Sequence, residues 1–165
     1  WESDFISFSP YYLYWLAKKN NVELKFIKIS GLVNKQITNW IVNKITNFIR
    51  DKKIKLFNKK ILILGVAYKK NIDDLRESPA LKIASKLKSK GYDFDYSDPY
   101  IKKISFGNKI KKSKIINSNL LKKFPIVLIT TDHSKFDYDL ITKEAKYIFD
   151  SRDVIKNRKE NYFKV

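Results

Sequence analysis

"KKILILGVAYKKNIDDLRESPALKIASKLKSKG", Lys59–Gly91, sets a continuous apolar run and a helical pattern on either side of a charged loop. The run "ILILGVAY" has the composition of a central parallel strand, buried on both faces. Beyond the loop, Ser78 stands as an N-cap and Pro79 suits the first helical position. Leu81, Ala84 and Leu87 predict an inward face, and Gly91 ends the helix. From Tyr68 to Glu77 lie ten residues dense in charge of both signs. Strand-to-helix connections usually take about 2–6 residues, and a longer one generally carries a function.

Working outward, "YDFDYSDPY" alternates Phe94 and Tyr96 with polar residues and stops at Asp98-Pro99, as a strand does. "FPIVLITT" (124–131) and "KYIFDSR" (146–152) are two further buried strands, linked by a short helix around 138–146. The lysine-rich segment 102–114 reads as surface. Upstream, "PYYLYWLAKKN" (10–20) predicts a helix beginning at Pro10 behind a Ser9 cap, with Leu13, Leu16 and Ala17 on one side. From about Leu32 to Lys52, Val33, Ile37, Trp40, Ile41, Ile45, Phe48 and Ile49 recur at helical spacing. Packing within the chain and a dimer seam both satisfy that stripe. The reading is an α/β fold: a Rossmann-like, mainly parallel sheet flanked by helices (57–165), preceded by a helical arm (1–56). No internal repeat is present.

The chain of 165 residues has 44% hydrophobic and 15% aromatic residues, enough for a core. No apolar run reaches the ~18 residues of a membrane span. The opening "WESDFISFSP" has neither a basic n-region nor a small-residue cleavage site, so it does not read as a signal peptide. A start on Trp1 reads as a piece of a longer polypeptide. Cysteine is absent, which removes disulfides, thiolate metal sites and cysteine nucleophiles and fits a reducing cytoplasm; one histidine makes a zinc cluster an unattractive reading. The net charge of +18 invites a nucleic-acid partner, but the lysines are spread along the chain. Only four of the 35 basic residues are arginine: Arg50, Arg76, Arg152 and Arg158. A solvated basic surface is the preferred reading over a polyanion partner.

Ligands of open parallel sheets bind beyond the carboxyl ends of the strands. Three charged stretches converge there: the loop with Tyr68, Lys69, Lys70 and Arg76 against Asp73, Asp74 and Glu77; Thr131, Asp132 and His133; and Asp150 with Arg152. The start of the helix at Pro79 adds free N–H groups. A phosphate or pyrophosphate suits the place, with Lys69 as a point charge and Arg76 as a planar fork. The competing reading pairs Arg76 with Asp73 or Glu77 merely to hold the loop. His133 reads as a hydrogen-bonded core or loop residue rather than a base. Asp98 reads as an Asp-Pro turn sooner than as a ribose ligand. With four glycines, no GxGxxG or Walker A loop can be built.

"LGVAYKKNIDDLRESPA" (64–80) resembles the signature loop of the C-terminal domain of the UDP-glucose/GDP-mannose dehydrogenase family, NAD-dependent nucleotide-sugar 6-dehydrogenases. "YSDPY", "TTDHSKF" and "FDSRDV" follow in the family's order, and "SPYYLYWLAKKNNVELKFIKISGLVNKQI" (9–37) resembles its central helical region. The "PYYL" form is most similar to the UDP-N-acetylhexosamine branch. The resemblance implies that Tyr68, Lys69 and Arg152 bind a UDP-sugar and that Arg76 reaches NAD. It also implies a homodimer through the 32–52 helix. Neither a membrane nor a nucleic acid is implied.

Departures from the family pattern stand beside the matches. Counting back from "PYYL", the family's catalytic cysteine falls at Phe5, its paired glycines at Glu2 and Ser3, and its aspartate before proline at Ser9. A basic residue of the central helix falls at Gly31. Phenylalanine cannot form the thiohemiacetal and thioester through which the family oxidises a C6 alcohol to a uronate. The N-terminal NAD-binding half is not in this sequence. The expectation is a portion inactive on its own, derived from a broken gene or retained as a binding or assembly module; the alternative is a non-catalytic basic assembly or nucleic-acid-binding module.

Overall fold

The computed structural model describes the backbone of residues 4–165 and the side chains of 12–25, 27, 29, 32, 33 and 36–165. The chain divides into two units, residues 1–40 and 41–165.

In the first unit, helix α1 (Asp4–Lys19) starts before Pro10, so the proline lies inside it. A Ser-Pro pair marks where a helix can begin and does not force it to begin there. Its end is closed at Asn21, whose φ of 55° is left-handed, with the Val22 N–H donating back to the Ala17 carbonyl at 2.8 Å. Asparagine tolerates that conformation, and the six-to-one hydrogen bond stops the helix. Tyr12, Leu13, Trp15 and Leu16 are exposed. Helix α2 (Lys25–Asp51) begins in this unit, where Leu32, Val33, Ile37 and Trp40 are also exposed.

In the second unit α2 continues, and here the stripe is internal: Ile41, Val42, Ile45 and Ile49 are buried. Phe48 meets the rings of Tyr147 and Phe149 edge-on at 4.9 and 5.4 Å. Strands β1 (Lys60–Leu64), β2 (Asp93–Ser97), β5 (Ile126–Ile129), β6 (Tyr147–Asp150) and β7 (Tyr162–Lys164) form one sheet in the order β2-β1-β5-β6-β7. Every pairing is parallel. Alternate residues of β1 serve the two faces. Ile61 and Ile63 join α2 and α3 (Pro79–Ser89), while Leu62 and Leu64 join Leu121 of α4 (Ser118–Lys123) and Ile141 of α5 (Tyr138–Glu144). A strand covered on both faces shows no polar alternation, which is why the run is continuous. On α3 the buried residues are Ala80, Ile83, Ala84 and Leu87, with Leu81 only half-buried.

Two strands lie in the segment expected to be plain surface: β3 (Lys103–Phe106) and β4 (Lys109–Lys112) pair as an antiparallel hairpin. The chain then runs along the free edge of β2, where the Lys114 N–H donates to the Tyr96 carbonyl at 2.8 Å and Lys111 Nζ to the Phe94 carbonyl at 2.6 Å. This blunts an edge that would otherwise invite further pairing. Among the described residues no helix is long and apolar enough to cross a membrane.

Candidate functional site

Parallel pairing puts the carboxyl ends of β1, β2, β5 and β6 on one rim, and backbone hydrogen bonds cinch them together. The Gly65 N–H donates to Ser97 and the Thr130 N–H to Leu64, each at 2.9 Å. The Thr130 hydroxyl donates to the Gly65 carbonyl and the Thr131 hydroxyl to that of Ala67. The Ser78 hydroxyl donates to the Val66 carbonyl at 2.6 Å. Ser78 does occupy the N-cap of α3, but its side chain makes no cap hydrogen bond there. The carbonyl of a buried loop needed a donor more than the helix end did.

Asp98 is the centre of this rim. Its Oδ2 accepts the N–H groups of Val66 (2.7 Å) and Ala67 (3.1 Å), and its Oδ1 accepts those of Tyr100 (2.9 Å) and Ile101 (3.0 Å). His133 Nε2 lies 3.0 Å from Oδ2, and both side chains are fully buried. Burial pushes the Asp98 carboxyl up, but the hydrogen bonds from His133 and the backbone outweigh it and hold it below its ordinary 3.8. Asp98 therefore makes the expected turn with one oxygen and fastens another loop with the second. A second buried carboxylate, Asp150, works similarly, accepting the N–H groups of Arg152, Val154 and Ile155.

The residues expected to bind ligand stand on this frame. Tyr68 and Lys69 are half-buried, with Lys69 Nζ 6.0 Å from the centre of the Tyr68 ring. The Tyr68 N–H donates to the Asp74 carbonyl at 2.7 Å, folding the long loop back on itself. Arg152 Nε donates to the Thr130 carbonyl at 2.8 Å, which ties the β6 end to the same threonine that grips Gly65. Arg76 is turned onto its own loop: its guanidinium makes a fork on Asp74, with Nε 3.0 Å from both oxygens and Nη2 2.7 Å from Oδ2. A loop-holding partner is thus Asp74, which the competing reading did not name, and Glu77 pairs with Lys82. The Arg76 N–H donates to the same carboxylate, and this Asx turn brings the guanidinium within reach. The expected positions Glu2, Ser3, Phe5, Ser9 and Gly31 lie outside the described side chains. Two surface cavities, one of about 330 Å³ beside Ile49, Leu56 and Tyr92 and one beside Ile115 and Leu120, do not include Tyr68, Lys69, Arg76 or Arg152. Among the described residues no cluster could hold a metal ion.

The Arg76 fork holds the Asp74 carboxyl at about 2. Arg76→Ala is expected to let that carboxyl titrate close to its ordinary 3.8, read by carbon NMR of the side-chain carboxylate. An unmoved titration would mean the fork is not formed in solution.

Residues 62–157 match a family model for the UDP-glucose/GDP-mannose dehydrogenase family, UDP binding domain. The UDP-N-acetyl-D-mannosamine dehydrogenase of Methanococcus vannielii is 26% identical over 160 residues, covering 92% of this chain and 35% of that protein. The UDP-N-acetyl-D-mannosamine dehydrogenase of Campylobacter jejuni is 34% identical over 126 residues, covering 74% and 30%. The solved structure of the Staphylococcus aureus UDP-N-acetyl-mannosamine dehydrogenase superposes with a TM-score of 0.65 at 27% identity, covering 85% of this chain and 33% of that one. The chain therefore spans about a third of the length of these proteins. A parallel sheet with its charged loops on one rim, matched over most of its length by that domain, makes this chain a member of the UDP-glucose/GDP-mannose dehydrogenase family.

Proposed function

We propose that the chain is the UDP-sugar-binding portion of an NAD-dependent nucleotide-sugar 6-dehydrogenase, the enzyme class that oxidises a sugar C6 alcohol to a uronate for polysaccharide synthesis. The match over residues 62–157 carries this reading, because that span includes Tyr68, Lys69 and Arg152 together with the strand ends that fasten them. Lys69 supplies a compact positive charge and Arg152 a planar fork anchored through its Nε, a pairing suited to a nucleoside diphosphate. The names of the relatives favour a 2-acetamido sugar on the UDP.

The residues present do not make an NAD site by themselves. Four glycines cannot build a dinucleotide loop, and Arg76, the single contact proposed to reach the cofactor, is engaged by Asp74. With Phe5 at the cysteine position as well, the chain alone is proposed to bind nucleotide-sugar without turnover. The exposed Val33, Ile37 and Trp40 side of α2 is the proposed homodimer seam, and the setting is cytoplasmic.

Isothermal titration with UDP and with UDP-N-acetylhexosamines tests the reading. Heat of binding is expected for the wild type and is expected to vanish in Lys69→Ala/Arg152→Ala. An unchanged signal in the double variant would remove the site. Tight, salt-steep binding to random duplex DNA with no response to UDP would replace the function altogether.

A further inference from the structure

His133 is the chain's single histidine. It is fully buried in the turn after β5, and groups from two other strand ends engage both of its ring nitrogens. Nδ1 accepts the Asn71 N–H at 2.9 Å, and Nε2 lies 3.0 Å from Asp98 Oδ2. A backbone N–H can only donate, so Nδ1 must present its lone pair. A carboxylate can only accept, so Nε2 must carry the proton. The Nε2–H neutral tautomer alone satisfies both neighbours. The other tautomer sets a hydrogen against the Asn71 N–H and a lone pair against the carboxylate.

The consequence falls on the span between those contacts. The N–H groups of Val66 and Ala67 are held by Asp98, that of Asn71 by the ring, and Tyr68 and Lys69 lie between them. Asn71 has a φ of 62°, a left-handed conformation that asparagine tolerates better than most residues with a side chain. Its side chain is latched as well: Nδ2 donates to Ser134 Oγ at 3.0 Å, and Oδ1 accepts the Ser134 N–H at 2.9 Å. The rings of Tyr100 and Phe136 stand 5.1 and 5.5 Å from the imidazole, and the Tyr138 hydroxyl donates to the His133 carbonyl at 3.0 Å. The imidazole is therefore packed between rings as well as hydrogen-bonded at both nitrogens.

We propose that His133, as its Nε2–H tautomer, and Asp98 are positioning residues that lock the span Val66–Asn71 into one shape before any ligand arrives. Neither touches ligand. Their use, to present Tyr68 and Lys69 to a UDP-sugar, rests on the function proposed above. A loop ordered in advance spares the ligand the cost of ordering it.

The full chain carries the test. With one histidine, a long-range proton–nitrogen NMR spectrum reports a single ring, expected to show Nε2 protonated and Nδ1 bare. Two variants separate the contacts. His133→Asn sets an amide oxygen where Nδ1 stands and keeps the acceptor for Asn71. His133→Gln sets an amide NH2 where Nε2 stands and keeps only the donor to Asp98. The Asn71 amide is expected to exchange slowly in the wild type and His133→Asn, and fast in His133→Gln. UDP affinity is expected to fall by about tenfold in His133→Gln and by less than about threefold in His133→Asn, with cooperative unfolding retained in both. A protonated Nδ1, an Asn71 amide equally fast in wild type and His133→Gln, or wild-type UDP affinity in His133→Gln overturns the lock. A protected Asn71 amide in a wild type that ignores UDP upholds the lock and overturns the nucleotide site instead.

Discussion

Asp98→Ala is expected to destabilise the unit formed by residues 41–165 by about 3–5 kcal/mol, read as a lowered midpoint of urea unfolding. The carboxylate satisfies four backbone N–H groups and the imidazole of His133, all drawn from three different segments. Alanine leaves those donors buried without acceptors, and an unsatisfied buried donor costs far more than a typical hydrogen bond contributes. The isosteric Asp98→Asn separates charge from shape. Its amide oxygen can serve one pair of N–H groups, but its NH2 then faces the other donors. The loss is therefore expected to be at least half that of alanine. Near-native stability in Asp98→Asn would show that water, not this carboxylate, satisfies the rim.

The same residue shapes the acid limb. Its folded-state carboxyl lies below the ordinary 3.8, so the unfolded chain takes up the proton first as pH falls. The ionised carboxylate contributes fully above about 3.8, and that contribution drains away as pH drops through the folded value. Asp98→Asn is expected to flatten the stability–pH curve below that point and leave its slope near neutrality unchanged.

What the sequence disclosed followed from how strongly burial writes itself into residue choice. β1, β5 and β6 were legible because strands buried on both faces must be apolar throughout, and β2 because Phe94 and Tyr96 alternate. The β3–β4 hairpin was masked by its lysines, although Ile104, Phe106 and Ile110 recur around a Gly107 turn with a φ of 58°. β7 has three residues and leans on the backbone of β6, so it leaves almost no pattern. At the site, the charged side chains were visible and their fastenings were not. Nothing local in the chain says that Asp98, His133 and the 66–71 backbone meet; that follows from parallel strands ending on one rim. For Arg76 the sequence reading offered Asp73 or Glu77, whereas the Asx turn at Asp74 brings the guanidinium onto that third carboxylate.

Gly65→Ala is expected to cost about 2–5 kcal/mol and to abolish the proposed UDP binding. Gly65 has a φ of +78°, and a Cβ there would stand 2.4 Å from the Thr131 carbonyl oxygen and 2.7 Å from Thr131 Cβ. The approach cannot relax cheaply, because Thr130 donates to the carbonyls of both Leu64 and Gly65 and the Thr131 hydroxyl holds that of Ala67. Moving Thr131 aside would break the bonds that set the loop carrying Tyr68 and Lys69. Gly91 provides the comparison: its φ is +82°, yet nothing lies within 4 Å of its missing Cβ. Gly91→Ala should therefore show the conformational cost alone, about 1–2 kcal/mol, with UDP affinity unchanged. Trimming Thr131 to glycine cannot rescue Gly65→Ala, since the nearest atom is backbone. Equal destabilisation by the two glycine variants in urea would show that the rim yields, and that the close approach of Gly65 to Thr131 does not fix the loop.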